Sequence, residues 1–404
     1  MRGTGPIYLD NAATTRPLPA VVDAMARTQL EAFGNPSSPH CFGPPAKRAL
    51  ADAREYLRGT LGAARVVFTS GGSEADYLGI VGSAAARPPG RVIMAAGDHP
   101  ALLRTEQLTA RWRHRTSVLP VSGDGDLLPE TLFEGLGKDV RTVALMHGHN
   151  ELGTLSRLRE LVELTRRAAA DAHIHVDLVQ TYGKLPFCMD DYGIDSVAVS
   201  GHKFHGPRGM GFLALSSTAR IAPLQLAGGQ EDGMRGGTEN VAGAVGLAVA
   251  AEAALSHQAG TARQCEALAD LMLATITDAV PATERLGNPE RRLPHILSLR
   301  LPGITGQTLL ERCDARGIAF STGSACHSRD DNTAKASHVL TAIGLDRKAA
   351  REVIRISFSA DTTTAQAAAA AQIIAQEAAA LRTFAPRAFG EGILDTGADG
   401  TDYR

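Results

Sequence analysis

Between Val66 and Ser200, short β-branched runs alternate with helix-length stretches, which predicts an α/β domain on a largely parallel sheet. Two further observations bear on the class. The loops that directly follow these runs carry Gly, Ser, His, Asp and Lys, and active sites of open parallel sheets lie outside the carboxyl ends of their strands. Past Gly228 the alternation gives way to helices mixed with three short strands, which predicts a second, smaller α+β domain.

The elements follow in order. IYLDNAATTRPLP is a short strand breaking at a polar turn with Pro17 and Pro19, and a helix is expected from Ala20 to Phe33. FGNPSSPHCFG, dense in Gly, Pro, Ser and Asn, must be a loop, and another helix runs from Pro45 to Leu61. VVFTS is a strand, GGSEADYLGIVGSAAA a helix and RVIMAA a strand. A helix containing Trp112 comes next, then SVLPVS, TVALMHG, a helix over Leu158–Ala170, HIHVDLV and SVAVS. The glycine-rich GGQEDGMRGGTEN leads into a long helix, Val241–His257. HILSLRL, GIAFST and VIRISFS are the strands of the smaller domain, followed by an alanine-rich helix. The expected boundaries are residues 17–257 for the large domain, 1–16 with 258–384 for the small one, and a flexible tail over 385–404.

A chain of 404 residues can bury two substantial cores. Its net charge of -2, without a long run of one sign, means that nothing in the charge pattern requires nucleic acid or an anionic membrane. The most apolar window, Val241–Leu255, contains Glu252 and is too short to span a bilayer. The five cysteines are odd in number and form no CxxC pair, which predicts a reduced, soluble, cytoplasmic protein in which one thiol is special.

Each strand end then offers a chemical group. Ser70-Gly71-Gly72-Ser73-Glu74 opens a helix, either as a phosphate seat of free backbone N–H groups or as an ordinary Ser cap. Gly97-Asp98-His99-Pro100 places a histidine that either lies flat against a planar ring or serves as a turn residue. His147/His149 and His173/His175 have metal-like spacing without a clear third ligand, so no metal is expected. Asp177 ends an apolar strand, where an acid is costly unless paired, and a cationic ring nitrogen would pair it. Ser200-Gly201-His202-Lys203 ends the next strand, where a partly desolvated amine is suited to Schiff-base chemistry. Together these fit one planar phosphorylated aldehyde.

The motifs YLDNAATT, FGNPSSPH, FTSGGSE, HNELG, VDLVQTYGK, SGHKFHGPRG, GGQE, RGGTENV, GSACHS and IRIS appear in that order over roughly 7–364. In these the chain resembles the cysteine desulfurases of the NifS/IscS type, pyridoxal phosphate enzymes of the aminotransferase class V fold. The resemblance implies a large domain with a mostly parallel seven-stranded sheet and a homodimer. It further implies that Lys203 holds the cofactor, that Gly72, Ser73, Ser200 and His202 bind its phosphate, and that Thr238 reaches that phosphate across the dimer interface. Asp177 would pair with the ring nitrogen, Gln180 with the ring hydroxyl oxygen, and His99 would stack on the ring and move protons. Asn150 would sit beside cofactor and substrate, and Asn35 belongs to the expected substrate site. Arg355 would hold the substrate carboxylate with its guanidinium fork, and Cys326, after Gly323-Ser324-Ala325, would take the sulfur as a persulfide. The implied partners are L-cysteine and a sulfur-acceptor protein, such as one serving iron–sulfur cluster assembly.

The sequence also departs from the family pattern. Gly72-Ser73 stands for Ala-Thr or Gly-Thr, His149 for asparagine, Pro100 for a polar residue and Ala360 for arginine, and HSRDDNTAKASH after Cys326 is long and charged. GSACHS with GHKFHGPRG also looks like animal selenocysteine lyases, so selenocysteine is the alternative substrate.

Overall fold

The computed structural model describes residues 5–225, 228–323 and 336–384. Its centre is a seven-stranded sheet in the order β2-β8-β7-β6-β5-β3-β4. In chain order, β1 is Ile7–Tyr8, β2 Arg65–Thr69, β3 Arg91–Ala95, β4 Arg115–Leu119, β5 Val140–Met146, β6 His173–Asp177, β7 Ser196–Ser200 and β8 Gly211–Leu215. Neighbours β7, β6, β5, β3 and β4 pair in parallel, and β8 runs antiparallel to both β2 and β7. All strands but β8 therefore point the same way, and their carboxyl ends share one edge. Every residue of β6, β7 and β8 is buried, as expected where helices cover both faces of a sheet.

The helix Gly72–Ala85 is buried nearly all round, with Ala75, Leu78, Ile80, Val81 and Ala84 inside. Gly79 lets it lie against the sheet, since a side chain there would collide with the His175 ring. On the other face, the helix Gly43–Leu61 buries Ala46, Leu50, Ala53, Leu57 and Leu61 at helical spacing and stops at Gly62, whose φ of 65° suits glycine. The helix Val241–Ser256 packs against it and against Pro19–Glu31, with Gly246 in contact distance of Met25.

A separate core gathers Leu268, Met272, Ile276, Leu297, Leu299, Ile354, Ile356 and Ile374. It lies on a four-stranded antiparallel sheet in the order β12-β13-β10-β9, with β9 Glu284–Arg285, β10 Ile296–Arg300, β11 Ile318–Ala319, β12 Ser321–Thr322 and β13 Val353–Ser357. The N-terminal β1 pairs in parallel with β11, so residues from the start of the chain join this core.

Three local readings are corrected. The helix expected around Trp112 is three short pieces, Pro100–Leu103, Glu106–Thr109 and Ala110–Trp112. The sequence reading omitted the strand Gly211–Leu215 and the helix Pro129–Gly135. GIAFST supplies two strands in different sheets, because Phe320 turns into the core between them.

Candidate active site

The carboxyl ends of the parallel strands open onto a cavity of about 570 Å³. Gly72, Ser73, His99, Asn150, Asp177, Gln180, Ser200, His202 and Lys203 all line it. The sheet explains the convergence: each of these residues follows, ends or opens an element on the same edge.

Lys203 lies in the turn Gly201–Lys203 directly after β7, and the segment Asp10–Thr15 wraps over that turn. Thr15 N–H donates to the His202 carbonyl at 2.8 Å and its hydroxyl donates there at 3.0 Å. The Lys203 ammonium donates to the carbonyls of Ala12 (2.7 Å) and Ala13 (2.8 Å), and Gln180 Nε2 donates to Ala12 O at 3.0 Å. Burial, then the Arg355 charge, push the Lys203 amine down to about 8, opposed by Asp177 and Asp10. About a tenth of the amine is therefore uncharged at pH 7, against well under a hundredth for an ordinary lysine, and the uncharged form is the nucleophile.

Asp177 is buried, and its Oδ1 accepts from Val179 N–H at 2.7 Å. Burial pushes this carboxyl up to about 8. A buried acid so lifted is short of a cation. His99 Nδ1 accepts from Ala101 N–H at 3.1 Å, which leaves the ring proton on Nε2. Burial, then Lys203, push His99 down to about 4, so the ring is neutral and presents an Nε2–H donor.

The phosphate-like end is formed at the N-terminus of the helix Gly72–Ala85. Gly71 has φ 153°, and a Cβ on Gly72 would lie 2.6 Å from Val179 Cγ2, so the backbone approaches the site without side chains. Glu74 accepts from Ser70 N–H and pairs with Arg235 at 3.0 Å, which fixes the turn. His202 Nδ1 lies 3.1 Å from Thr14 Oγ1 at the same end.

Arg355 reaches from β13 of the smaller sheet. Its Nη2 donates to Asp10 Oδ1 at 2.7 Å and its Nη1 to Asn150 O at 3.0 Å, while the buried Nε has no partner among the described residues. Asn150 Oδ1 is likewise buried without a partner there. Asn35 and Thr238 are exposed and do not line the cavity of their own chain.

Cys326 lies outside the described residues, as does the expected tail. Gly323 and Ser337 flank its segment and are bonded to one another at 3.2 Å. The adjacent His338 Nε2 lies 2.9 Å from the Asp98 carbonyl, next to His99. Burial pushes the thiols of Cys265 and Cys313 up to about 11 and 12, values of inert cysteines.

The HxH pairs hold ordinary partners: His147 meets Thr181 at 3.0 Å and His149 meets the Gly97 carbonyl at 2.8 Å. Sequence reasoning passed over Thr14, Asp76, Met146 and Arg208, which also line the cavity. Arg208 lies inside the quoted GHKFHGPRG motif, and Asp76 two residues past Glu74, so motif position was the available signal.

The model of the aminotransferase class-V family matches residues 7–369. The chain belongs to the aminotransferase class-V family. It is 37% identical to a putative cysteine desulfurase IscS 1 of Bacillus subtilis over 91% of this chain and 97% of that one. It is 37% identical to the cysteine desulfurase NifS of Azotobacter vinelandii over 96% of each chain. Among solved structures, a NifS-like protein superposes with a TM-score of 0.84 at 31% identity, covering 92% of this chain and 98% of that one. The α/β fold with its mostly parallel seven-stranded sheet is the fold these relatives share.

Proposed function

We propose that this class-V protein is a pyridoxal phosphate-dependent cysteine desulfurase that converts L-cysteine to L-alanine and passes the sulfur to an acceptor protein. The observation that carries the reading is the meeting of a nucleophilic amine (Lys203), a cation-seeking acid (Asp177) and a helix N-terminus opened by Gly71 and Gly72 around one cavity. The donor set fits the cofactor at three points. The helix N-terminus with Ser73, Ser200 and His202 receives a phosphate, Asp177 a ring nitrogen, and the unpartnered Asn150 Oδ1 a donor in between.

Pyridoxal phosphate supplies an electron sink for negative charge developing at the substrate α-carbon. The chain's own residues do the rest. Lys203 holds the cofactor through its amine and, once released, carries protons. His99, neutral and protonated on Nε2, stands beside it for proton movement. Gln180 faces the ring hydroxyl, and Arg355, held by Asp10, binds the substrate carboxylate. The Cys326 thiol then attacks the substrate sulfur: the carbon–sulfur bond breaks, a sulfur–sulfur bond forms, and the substrate carbon leaves as alanine after gaining a proton. Thr238, exposed in the single chain, is assigned to a homodimer interface that completes the site, and Asn35, also exposed, is kept as a substrate contact. The large and small domains are taken as residues 17–257 and as 1–16 with 258–384. No helix among the described residues is long and apolar enough to cross a membrane, and a cytoplasmic location suits the free thiols.

The test is to load the purified protein with pyridoxal phosphate, supply L-cysteine and L-selenocysteine at equal concentration, and measure alanine with sulfide or selenide. Alanine and sulfide from cysteine support the reading. A strong preference for selenocysteine, or a keto acid without sulfur release, refutes it.

A further inference from the structure

Behind the cavity a run of buried polar side chains crosses the sheet. Asp76, on the helix Gly72–Ala85, lines the cavity and has its Oδ1 3.1 Å from His175 Nε2. His175 Nδ1 lies 2.8 Å from Ser196 Oγ, and the same hydroxyl lies 2.7 Å from His173 Nε2. All four residues are essentially inaccessible to solvent. The register makes the run: His173 and His175 are two apart on β6 and share a face, and Ser196 on β7 is the Cα partner of His175. The far end, His173 Nδ1, has no partner among the described residues.

A run of this kind has two self-consistent proton arrangements. In one, the Asp76 O–H donates to His175 Nε2, His175 Nδ1–H to Ser196, and the Ser196 hydroxyl to His173. In the other every proton has moved one place along, Asp76 is ionised, and one proton has left at His173 Nδ1. The arrangements differ by one proton at Asp76, so the tautomer of His175 reports the charge of that acid.

The surroundings favour the first arrangement. Asp76 stands among Asp177 and His175 from β6 and Asp98 from the loop after β3. Lys203 and Arg208 line the same cavity, and the charge on Lys203 acts on Asp177, while burial is the influence resolved at Asp76. Two ionised carboxyls fronting one cavity repel each other. Arg87 and Arg166 stand near His173, at the other end of the run.

We infer that Asp76, His175, Ser196 and His173 form a proton-holding chain in which Asp76 stays an uncharged acid, leaving Asp177 the single anion facing the cofactor ring nitrogen. Asp76 and His175 are thus positioning residues acting through Asp177. The inference rests on the pyridoxal phosphate reading for the identity of the ring, and not for the protonation of the chain.

The test uses the protein loaded with pyridoxal phosphate, and the unloaded form beside it. In ¹⁵N-histidine spectra at neutral pH, His175 is expected to carry its proton on Nδ1. The infrared band of protonated carboxylic acid should lose one acid's share in Asp76→Asn, the remainder coming from Asp98 and, in the unloaded form, Asp177. Ser196→Ala cuts the run, moves the His175 proton to Nε2, removes the Asp76 share of that band, and shifts the pH midpoint of the bound-cofactor absorbance by a pH unit or more. Asp76→Asn added to Ser196→Ala should restore the midpoint, since an amide cannot ionise. A proton on Nε2 in the wild type, or an acid band indifferent to Asp76→Asn, overturns the inference. If Ser196→Ala fails to fold, the wild-type tautomer and Asp76→Asn decide alone. If pyridoxal phosphate produces no visible band while tautomer and acid band are as expected, the cofactor reading fails and the proton-holding chain stands.

Discussion

Replacing Asp177 by asparagine should stabilise the unloaded protein while weakening its hold on the cofactor. The carboxyl is buried and lifted from 3.8 to about 8, chiefly by burial. The acid ionises at lower pH when unfolded than when folded, so unfolding releases a proton between those values and stability falls as pH rises through them. At about 1.4 kcal/mol per pH unit, the full lift costs the folded state about 5 kcal/mol at pH 8. Asp76 and Asp98 are relieved together with it, so the separable share is smaller, about 2 to 4 kcal/mol. The amide oxygen can keep the Val179 N–H bond. The assay is urea unfolding of unloaded wild type and Asp177→Asn at several pH values, repeated with pyridoxal phosphate. Without cofactor the variant should be indistinguishable near pH 4 and clearly more stable at pH 8. With cofactor the wild type should gain more, because only the carboxylate pairs with a ring cation. A variant that is less stable at pH 8, or a gain independent of pH, would refute the reasoning.

Other expectations follow from the same geometry. His99, His147, His175 and His202 are each pushed down to about 4 by burial, so the unfolded state takes up protons first on acidification. Between about pH 6.5 and 4 these four groups should therefore remove stability from the unloaded protein and offset the gain from Asp177 and Asp98 in the same range, so a profile that rises there as steeply as the two acids alone require would contradict those burials. Glu231→Ala removes a buried carboxylate held by Arg54 at 2.6 and 2.9 Å and by Phe68 N–H at 2.8 Å. It should cost about 3 kcal/mol in denaturant unfolding, with Glu231→Gln losing less. Lys203→Ala should fold yet show no visible absorbance from covalently held pyridoxal phosphate, and an unchanged spectrum would remove Lys203 from its role.

Much of the site was legible because the fold is periodic there. Six strands that run the same way end at one edge, so residues ending or following strands in the sequence, such as Asp177 and Lys203, meet in space. What escaped depends on tertiary register. Asp76 belongs to a helix that reads as uniformly apolar, and its partner His175 was read only as one of a histidine pair. The tight pairing of Ser196 with both histidines depends on how β6 and β7 align, which no local pattern encodes. Gly211–Leu215 was hidden behind a glycine-rich run, and its reversal places it between β2 and β7. The Trp112 region carries helix-forming residues but lacks a continuous apolar stripe, so it settles into short turns.

The central claim is that sulfur leaves the substrate on Cys326. The most direct measurement is mass spectrometry of the loaded protein after one equivalent of L-cysteine without reductant. The account predicts one alanine formed and one added sulfur atom on the peptide bearing Cys326, with no added sulfur in Cys326→Ala. Alanine without added sulfur, or the sulfur on Cys41, Cys188, Cys265 or Cys313, would contradict it.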